Sequence, residues 1–195
     1  MQKNVLWVGI GSILAVALGA AAWMITVKPS LHGAVIDPPL AAAEIRLQDT
    51  SGRSFTLSSL RGKVVILYFG YTNCPDECPL TLAHLKLATD RLGAQARDVR
   101  VIMITTDPKR DTPQALQSFM TKFSPDFIGL AGTPDQLAQV WRDYGVTVED
   151  NGETHSFFVY MIDRAGNFRE TFLPDSPPAD IAADVQMLLA EKQAP

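Results

Sequence analysis

The sequence predicts an α/β domain, with helices packed on a central β-sheet, behind an apolar N-terminal segment. Apolar runs of the length of buried strands alternate with amphipathic helical patterns over most of the 195 residues. Two further strand patterns and a last helix complete the order, and no repeat or low-complexity tract interrupts it. The part that follows the apolar segment has the length of one domain with a full-sized core.

The apolar segment, residues 5–27, contains no charged residue. Its 23 residues would form a helix about 34 Å long, which is enough to cross a hydrocarbon core of about 30 Å. Trp7 and Trp23 lie near its ends, where aromatic side chains meet the membrane interface. A cleaved signal peptide is the alternative, but its apolar stretch is usually shorter. We therefore predict a membrane anchor over 1–27.

A segment rich in proline and alanine follows, and it predicts a stiff linker over residues 28–43, in which His32 is solvated. The predicted domain, residues 44–192, opens with a β-hairpin over 44–57. The next elements are a strand over 64–69, a helix over 79–92 that carries a partly exposed His84, a strand over 99–105, a helix from the Thr112 cap to about 123, a strand over 127–130, a helix from the Thr133 cap to 144, strands over 156–162 and 167–172, and a helix from Ser176 to about 192. This order resembles the thioredoxin-like fold, with an N-terminal β-hairpin and an inserted strand–helix unit.

The charge of the chain excludes one class of partner. The formal net charge is -4 at pH 7, and the lysines and arginines are scattered rather than gathered into a basic block. Proteins that bind nucleic acid carry a basic patch or stripe. We therefore predict no nucleic-acid partner.

Cys74 and Cys78 are the only two cysteines, and they stand four residues apart where the strand pattern over 64–69 gives way to a helix. Residues at this spacing share one face of a helical turn, and the amides of a helix N-terminus favour thiolate over thiol. Such a site either holds a soft metal ion or exchanges electrons. A structural disulfide is the third alternative, but a bridge across so short a loop would stabilise the fold by only roughly 2 kcal/mol.

Two redox templates fit the cysteines badly. Thioredoxins have two residues between their cysteines, whereas this chain has three, and His155 falls near the position of their cis-proline. Peroxiredoxins place a threonine three residues before the reactive cysteine, whereas Thr72 is two residues before Cys74. Two thiolates and a neutral imidazole instead make a soft, three-coordinate site that suits Cu(I). A closed zinc site would need a fourth protein ligand, for which only Asp76 and Glu77 are at hand.

Three sequence blocks together resemble the Sco/SenC family over roughly residues 33–190. They are Phe69-Gly70-Tyr71-Thr72-x-Cys74-Pro75-Asp76-x-Cys78-Pro79, Thr106-Asp107-Pro108-x-Arg110-Asp111-Thr112-Pro113, and His155-Ser156 ahead of Tyr160-x-Ile162-Asp163. Members of this family are membrane-anchored copper proteins of thioredoxin-like fold that help to assemble the CuA centre of cytochrome c oxidase. The approach to His155, Glu153-Thr154, departs from the aspartate-containing approach of many members.

The resemblance implies a metal chaperone rather than an enzyme, with Cys74, Cys78 and His155 as ligands of copper, Cu(I) before Cu(II). It implies the oxidase subunit that carries CuA as a partner and another copper chaperone as a candidate donor. Asp107 and Asp111 are candidate docking residues, with helix or turn capping as the alternative. The domain would face the bacterial periplasm from the inner membrane, or the mitochondrial intermembrane space. A thiol–disulfide reductase that keeps the CuA cysteines reduced is the alternative function, and a copper or redox sensor stays open.

Overall fold

The computed structural model describes residues 30–191, so the predicted membrane anchor lies outside the described residues. Within that range, no helix has both the length and the apolar character needed to cross a membrane. The strands and α-helices are β1 (Ala34–Ala41), β2 (Arg46–Asp49), β3 (Ser54–Thr56), β4 (Val64–Gly70), α1 (Glu77–Arg91), β5 (Val99–Thr105), α2 (Pro113–Met120), β6 (Ile128–Ala131), α3 (Pro134–Asp143), β7 (Val148–Glu149), β8 (Thr154–His155), β9 (Val159–Ile162), β10 (Asn167–Phe172) and α4 (Pro178–Ala190).

Eight of the strands form one mixed sheet, in the order β1-β10-β9-β4-β5-β6-β2-β3, and β7 pairs only with β8. The central strands β4, β5 and β6 run parallel, while the outer strands join antiparallel. This confirms the predicted α/β fold and its N-terminal hairpin, which is β2–β3. Because Gly70 pairs with Thr105, the segments that follow β4 and β5 leave the sheet at one edge.

Strand β4 is buried on both faces, which accounts for its continuous apolar sequence. One face, with Ile66 and Tyr68, packs in a core cluster that includes residues of α1, α2 and α4. The opposite face, with Leu67 and Phe69, packs in a second cluster with α3 and the β2–β3 hairpin. The end of β4 is therefore held between two cores, and it gives the loop that follows a rigid starting point.

Two of the three predicted helix caps are confirmed. The Thr112 hydroxyl accepts a hydrogen bond from the Ala115 amide at 3.2 Å. Thr133 and Gln136 form a reciprocal capping box at the start of α3. Ser176 does not cap α4, because Pro177 occupies the capping position and the helix begins at Pro178.

The predicted linker needs correction from residue 34 onward. Residues 34–41 form β1, which pairs with β10 from Ala34↔Thr171 to Ala41↔Asn167, with a break in register around Pro38 and Pro39. Tertiary pairing thus makes a strand out of a sequence with the composition of a linker. His32 is also more than a solvated residue, since its backbone N–H donates to Asp184 Oδ2 at 2.6 Å and its Nδ1 lies 2.6 Å from Asp184 Oδ1.

Candidate metal centre

The two cysteines lie on either side of the start of α1. Cys74 is half-buried in the loop after β4, and Cys78 is the second residue of the helix and fully buried. Both are free thiols. The Cys78 backbone N–H donates to Cys74 Sγ at 3.3 Å. Cys74 therefore satisfies one of the amides that a helix N-terminus leaves unpaired.

Cys78 lies in a closely fitted pocket. The Tyr68 hydroxyl donates to Cys78 Sγ at 3.4 Å. Gly70 leaves the room for this contact, since a Cβ there would lie 2.9 Å from the sulfur. Burial raises the pKa of the Cys78 thiol to about 12, although the hydrogen bond from Tyr68 acts in the opposite direction. At Cys78, burial thus opposes the preference of a helix N-terminus for thiolate, and metal binding would have to displace the thiol proton.

His155, at the end of β8, offers a free ring nitrogen. The side chain is 4% exposed, and its Nδ1 lies 2.9 Å from the carbonyl oxygen of Ser156. A carbonyl only accepts, so Nδ1 carries the proton and Nε2 keeps its lone pair. Nε2 is buried and has no hydrogen-bond partner. Burial lowers the pKa of the imidazole, which keeps it neutral at neutral pH, the form in which histidine binds metals.

Tyr71 interacts with both the dithiol and the imidazole. Its ring is edge-on to that of His155, with 5.9 Å between the centroids. Burial, followed by the charge and hydrogen bonding of Cys74, raises the pKa of Tyr71 to about 12. In residues 30–191, no three His, Cys, Asp or Glu side chains are already grouped to hold a metal ion. The structure thus brings the two cysteines together and places His155 next to them through Tyr71, short of a closed three-ligand site.

Asp111 and Asp107, the predicted docking residues, are both buried. Asp111 is 2% exposed and accepts hydrogen bonds from Thr72, at 3.1 Å from the amide and 2.5 Å from the hydroxyl, and from the Thr105 hydroxyl at 2.6 Å. Asp107 is 1% exposed, and its carboxylate accepts from the backbone N–H and the guanidinium of Arg110. Both carboxylates are largely engaged within the domain, which fits the capping alternative, and their docking role stays a prediction.

The loop after β5 is also tied to the segment that carries His155. Arg110 Nη1 lies 2.8 Å from Glu153 Oε1, and the Thr106 hydroxyl donates to the Gly152 carbonyl oxygen at 3.0 Å. Sequence reasoning missed the roles of Tyr68, Thr105 and Arg110. The available signal was their position: Tyr68 lies in the buried strand that leads to the cysteines, whereas Thr105 ends the neighbouring strand β5 and Arg110 lies in the loop after it.

An apolar cavity of about 400 Å³ opens beside the imidazole. Phe157 and Phe158, each 43% exposed, and Leu173, 57% exposed, line it together with His155. The ring centroids of His155 and Phe157 are 5.0 Å apart. The candidate ligand therefore borders an exposed apolar surface.

The sequence matches the family model SCO1/SenC over residues 36–190. Among curated relatives, the SCO2-like protein of Rickettsia felis is 33% identical over 196 residues, which cover 93% of this chain and 96% of the relative. Among solved structures, Bradyrhizobium japonicum ScoI with copper bound is 33% identical with a TM-score of 0.70, covering 76% of this chain and 99% of that one. Apo Sco1 from Thermus thermophilus is 31% identical with a TM-score of 0.73, covering 82% and 98%.

The range matched by the family model includes both cysteines, the loop after β5 and His155. The solved structures share the thioredoxin-like fold of this chain. The agreement of sequence and fold leads to one conclusion: this chain belongs to the SCO1/SenC family.

Proposed function

We propose that this protein is a copper chaperone that binds Cu(I) through Cys74, Cys78 and His155 and delivers it to the CuA centre during assembly of cytochrome c oxidase. Family membership supports copper as the cargo, as does the bound copper of the Bradyrhizobium japonicum relative. The target follows from the Sco/SenC resemblance of the three sequence blocks. The partner is the oxidase subunit that carries CuA, with another copper chaperone as the candidate donor.

The observation that best supports copper binding is the Nε2 of His155, which is buried and has no hydrogen-bond partner, in a domain that also holds two free thiols. A buried nitrogen without a partner is costly, and a ligand bond to copper would remove that cost. Two thiolates and an imidazole are the soft donors that favour Cu(I), and Cu(II) is the second oxidation state that they accommodate. The two thiols and the imidazole of this chain are therefore a donor set that suits copper.

Binding of Cu(I) would depend on the protonation and orientation of the three ligand residues. Cys78 must lose its proton, while His155 enters as a neutral ring that is already oriented by the carbonyl of Ser156. Closing the site would require the β7–β8 hairpin to bring Nε2 of His155 to the sulfurs. The ion pair of Arg110 with Glu153 ties the segment that carries His155 to the loop after β5. A site of three ligands leaves the ion open to incoming thiolates, whereas a four-ligand cage would resist handover.

One observation favours the alternative function, a thiol–disulfide reductase. Cys74 Sγ accepts from the Cys78 backbone N–H at 3.3 Å, and the two side chains also interact, so the two free thiols are direct neighbours. The dithiol would give two electrons to the disulfide of a target and become a Cys74–Cys78 disulfide itself. Both functions use the same sulfurs, so the role of His155 separates them.

Anaerobic titration of the reduced full-length protein in detergent with Cu(I) tests the proposal. We expect one copper per chain, and X-ray absorption with two sulfur scatterers and one nitrogen. His155→Ala should lose the nitrogen and weaken binding by about tenfold or more. His84→Ala removes another partly buried histidine of the domain and should match the wild type. A sulfur-only spectrum that is the same in the wild type and His155→Ala would remove the histidine from the site.

The two functions separate in cells that express each variant at equal protein levels. At limiting copper, a chaperone predicts that both His155→Ala and Cys74→Ala lower the CuA content of the oxidase. A reductase predicts that Cys74→Ala alone does so, because His155→Ala keeps both thiols. A normal CuA content of the oxidase in His155→Ala cells would contradict the chaperone function and support the reductase.

The location is part of the proposal. A membrane anchor over 1–27 would keep the domain on the periplasmic face of the bacterial inner membrane, or on the equivalent face of the mitochondrial inner membrane. The apolar length of residues 5–27 supports it. Alkaline carbonate should leave the full chain in the membrane pellet and release a variant that lacks residues 1–27. Release of the full chain would exclude an integral anchor.

A further inference from the structure

Three exposed apolar side chains lie together beside the candidate ligand His155. Phe157 and Phe158 are each 43% exposed and Leu173 is 57% exposed, and all three line the same cavity. We call these three residues the apolar patch. Contiguous apolar surface costs free energy in water, and on a folded protein it marks a contact with another protein or with a membrane. Something other than water is therefore expected to cover the apolar patch.

The chain enters the folded unit at the same margin of the sheet. Ala34 of β1 pairs with Thr171 of β10, and Phe172 of β10 pairs with Val159 of β9, in both cases antiparallel. The start of β1, the end of β10 and the start of β9 therefore form one margin, which is also the margin where β4 ends toward the cysteines. The apolar patch directly follows β10 and directly precedes β9. It therefore lies close to the residues that lead into β1.

The tether between the predicted anchor and this margin is short. Leu31 packs against the first core cluster, and the His32 backbone N–H donates to Asp184, so the chain is held in the fold from Leu31 onward. Only residues 28–30 separate Leu31 from the anchor predicted over 1–27. Even a fully extended chain covers at most about 14 Å between residue 27 and residue 31. An anchored domain would therefore keep this margin of the sheet close to the membrane surface.

We propose that the apolar patch docks on the lipid surface of the membrane in which the chain is anchored. The proposal rests on the membrane location put forward above. Phenylalanine and leucine insert into the boundary between headgroups and acyl chains. The short tether raises the effective concentration of the patch at that boundary, so a small apolar area is enough. Recognition is apolar rather than electrostatic, because Glu149, which also lines the cavity, is acidic and the net charge is -4. Copper handover would then be confined to acceptors that lie close to the bilayer.

Photo-crosslinking to lipid tests the docking. The full-length protein is reconstituted into phosphatidylcholine vesicles in which some lipid carries a diazirine near the ester end of an acyl chain, and labelled residues are located by peptide fragmentation. We expect about tenfold more labelling of the apolar patch than of Leu40, a leucine of the same exposure (58%) near the far end of β1.

Two matched substitutions sharpen the test. Leu173→Asp should lower the labelling of Phe157 and Phe158 by about fivefold or more, because it places a charge at the lipid boundary. Leu40→Asp makes the same change outside the patch and should leave that labelling as in the wild type. Both leucines are more than half exposed, so both variants should fold.

Labelling of residues 5–27 is the internal reference for insertion of the anchor. A labelled anchor with an unlabelled patch, equal labelling of the patch and Leu40, or no effect of Leu173→Asp would overturn the docking and leave the anchor in place. A patch that binds only a protein partner would give the first of these results. An unlabelled anchor would refute the membrane location and the docking together. Because no readout uses copper, a protein that docks but does not bind Cu(I) would refute only the chaperone function.

Discussion

Asp111 joins the ends of two parallel strands although it is a carboxylate with almost no exposure to solvent. It accepts from Thr72, two residues before Cys74, and from Thr105, the last residue of β5. Hydrogen bonds to ionised groups are among the stronger ones in proteins, and a buried donor that loses its acceptor is costly. The conformation of the loop that carries Cys74 therefore depends on one side chain from a neighbouring loop.

Asp111→Ala should lower the free energy of unfolding by about 2 to 4 kcal/mol, because the Thr72 amide and the Thr105 hydroxyl lose their acceptor in the interior. It should also weaken Cu(I) binding, because the Cys74 loop is no longer fixed. Urea unfolding and competitive Cu(I) titration measure the two effects. Asp175→Ala, at an exposed position, is the control. An unfolding free energy equal to that of the control would show that Asp111 does not hold the loop.

Residue-level prediction from the sequence succeeded where the signal is local. The spacing of Cys74 and Cys78 is enough to place them together at a helix start. The inward direction of Asp111 depends on partners brought close by the pairing of β4 with β5, which no short pattern encodes. The full burial of Cys78 was missed for the same reason, since it comes from the packing of β4 against α1.

At the scale of elements, the short β7–β8 hairpin determines where His155 lies. It is connected through a turn at residues 150–152, in which Gly152 has φ of 98°. A Cβ at Gly152 would lie 2.2 Å from the Thr106 carbonyl oxygen. The hairpin therefore approaches the end of β5 more closely than any residue with a side chain would allow.

Gly152→Ala should push the hairpin away from β5 and lower both stability and copper affinity. The matched control is Gly145→Ala, which has φ of 65° and open space around the new Cβ. Both variants share the backbone strain of about 1 to 2 kcal/mol, so the difference between them reports the contact with Thr106. Thermal unfolding and Cu(I) competition measure it. Equal effects of the two substitutions would mean that the close approach does not position His155.

The elements differ in how far the sequence predicts them. Helices α2 and α3 were recognisable because their capping residues are adjacent in sequence. Strand β1 was not, because its prolines and alanines are typical of a linker, and it becomes a strand by pairing with β10 at the far end of the chain. The sequence therefore predicts the central architecture but not the outermost strand.

Across the whole domain, a buried polar cluster joins the first described residues to the last strand and helix. Glu170 and Asp184 are both 0% exposed, the Gly33 amide donates to Glu170 at 3.0 Å, and His32 pairs with Asp184. Burial, followed by the charge of Asp184, raises the pKa of Glu170 to about 8. The hydrogen bond to Asp184 and its charge raise the pKa of His32 above 6.5. The folded protein therefore holds protons here that the unfolded chain would release.

Stability should fall as pH rises across this range. Glu170 ionises near pH 4.5 in the unfolded chain but near 8 in the fold, and the contribution of His32 is complete below 6.5 and disappears above its raised pKa. His155, with a lowered pKa, acts in the opposite direction as pH falls below 6.5. Urea midpoints from about pH 5.5 to about pH 8.5 should decline in the wild type and much less in Glu170→Gln. Exposed Glu149→Gln is the control, and an equal slope in Glu170→Gln would contradict this account.

The two prolines of β1 have a consequence for how copies of the domain meet. Pro38 and Pro39 interrupt the outermost strand of the sheet, and each lacks the amide hydrogen that a further strand would need. The opposite margin, β3, is only three residues long. Lateral growth of the sheet, the usual route from an open β-edge to aggregation, is therefore blocked on both sides. A chaperone of the proposed kind could therefore approach its partner as a single copy, without joining sheets with its neighbours.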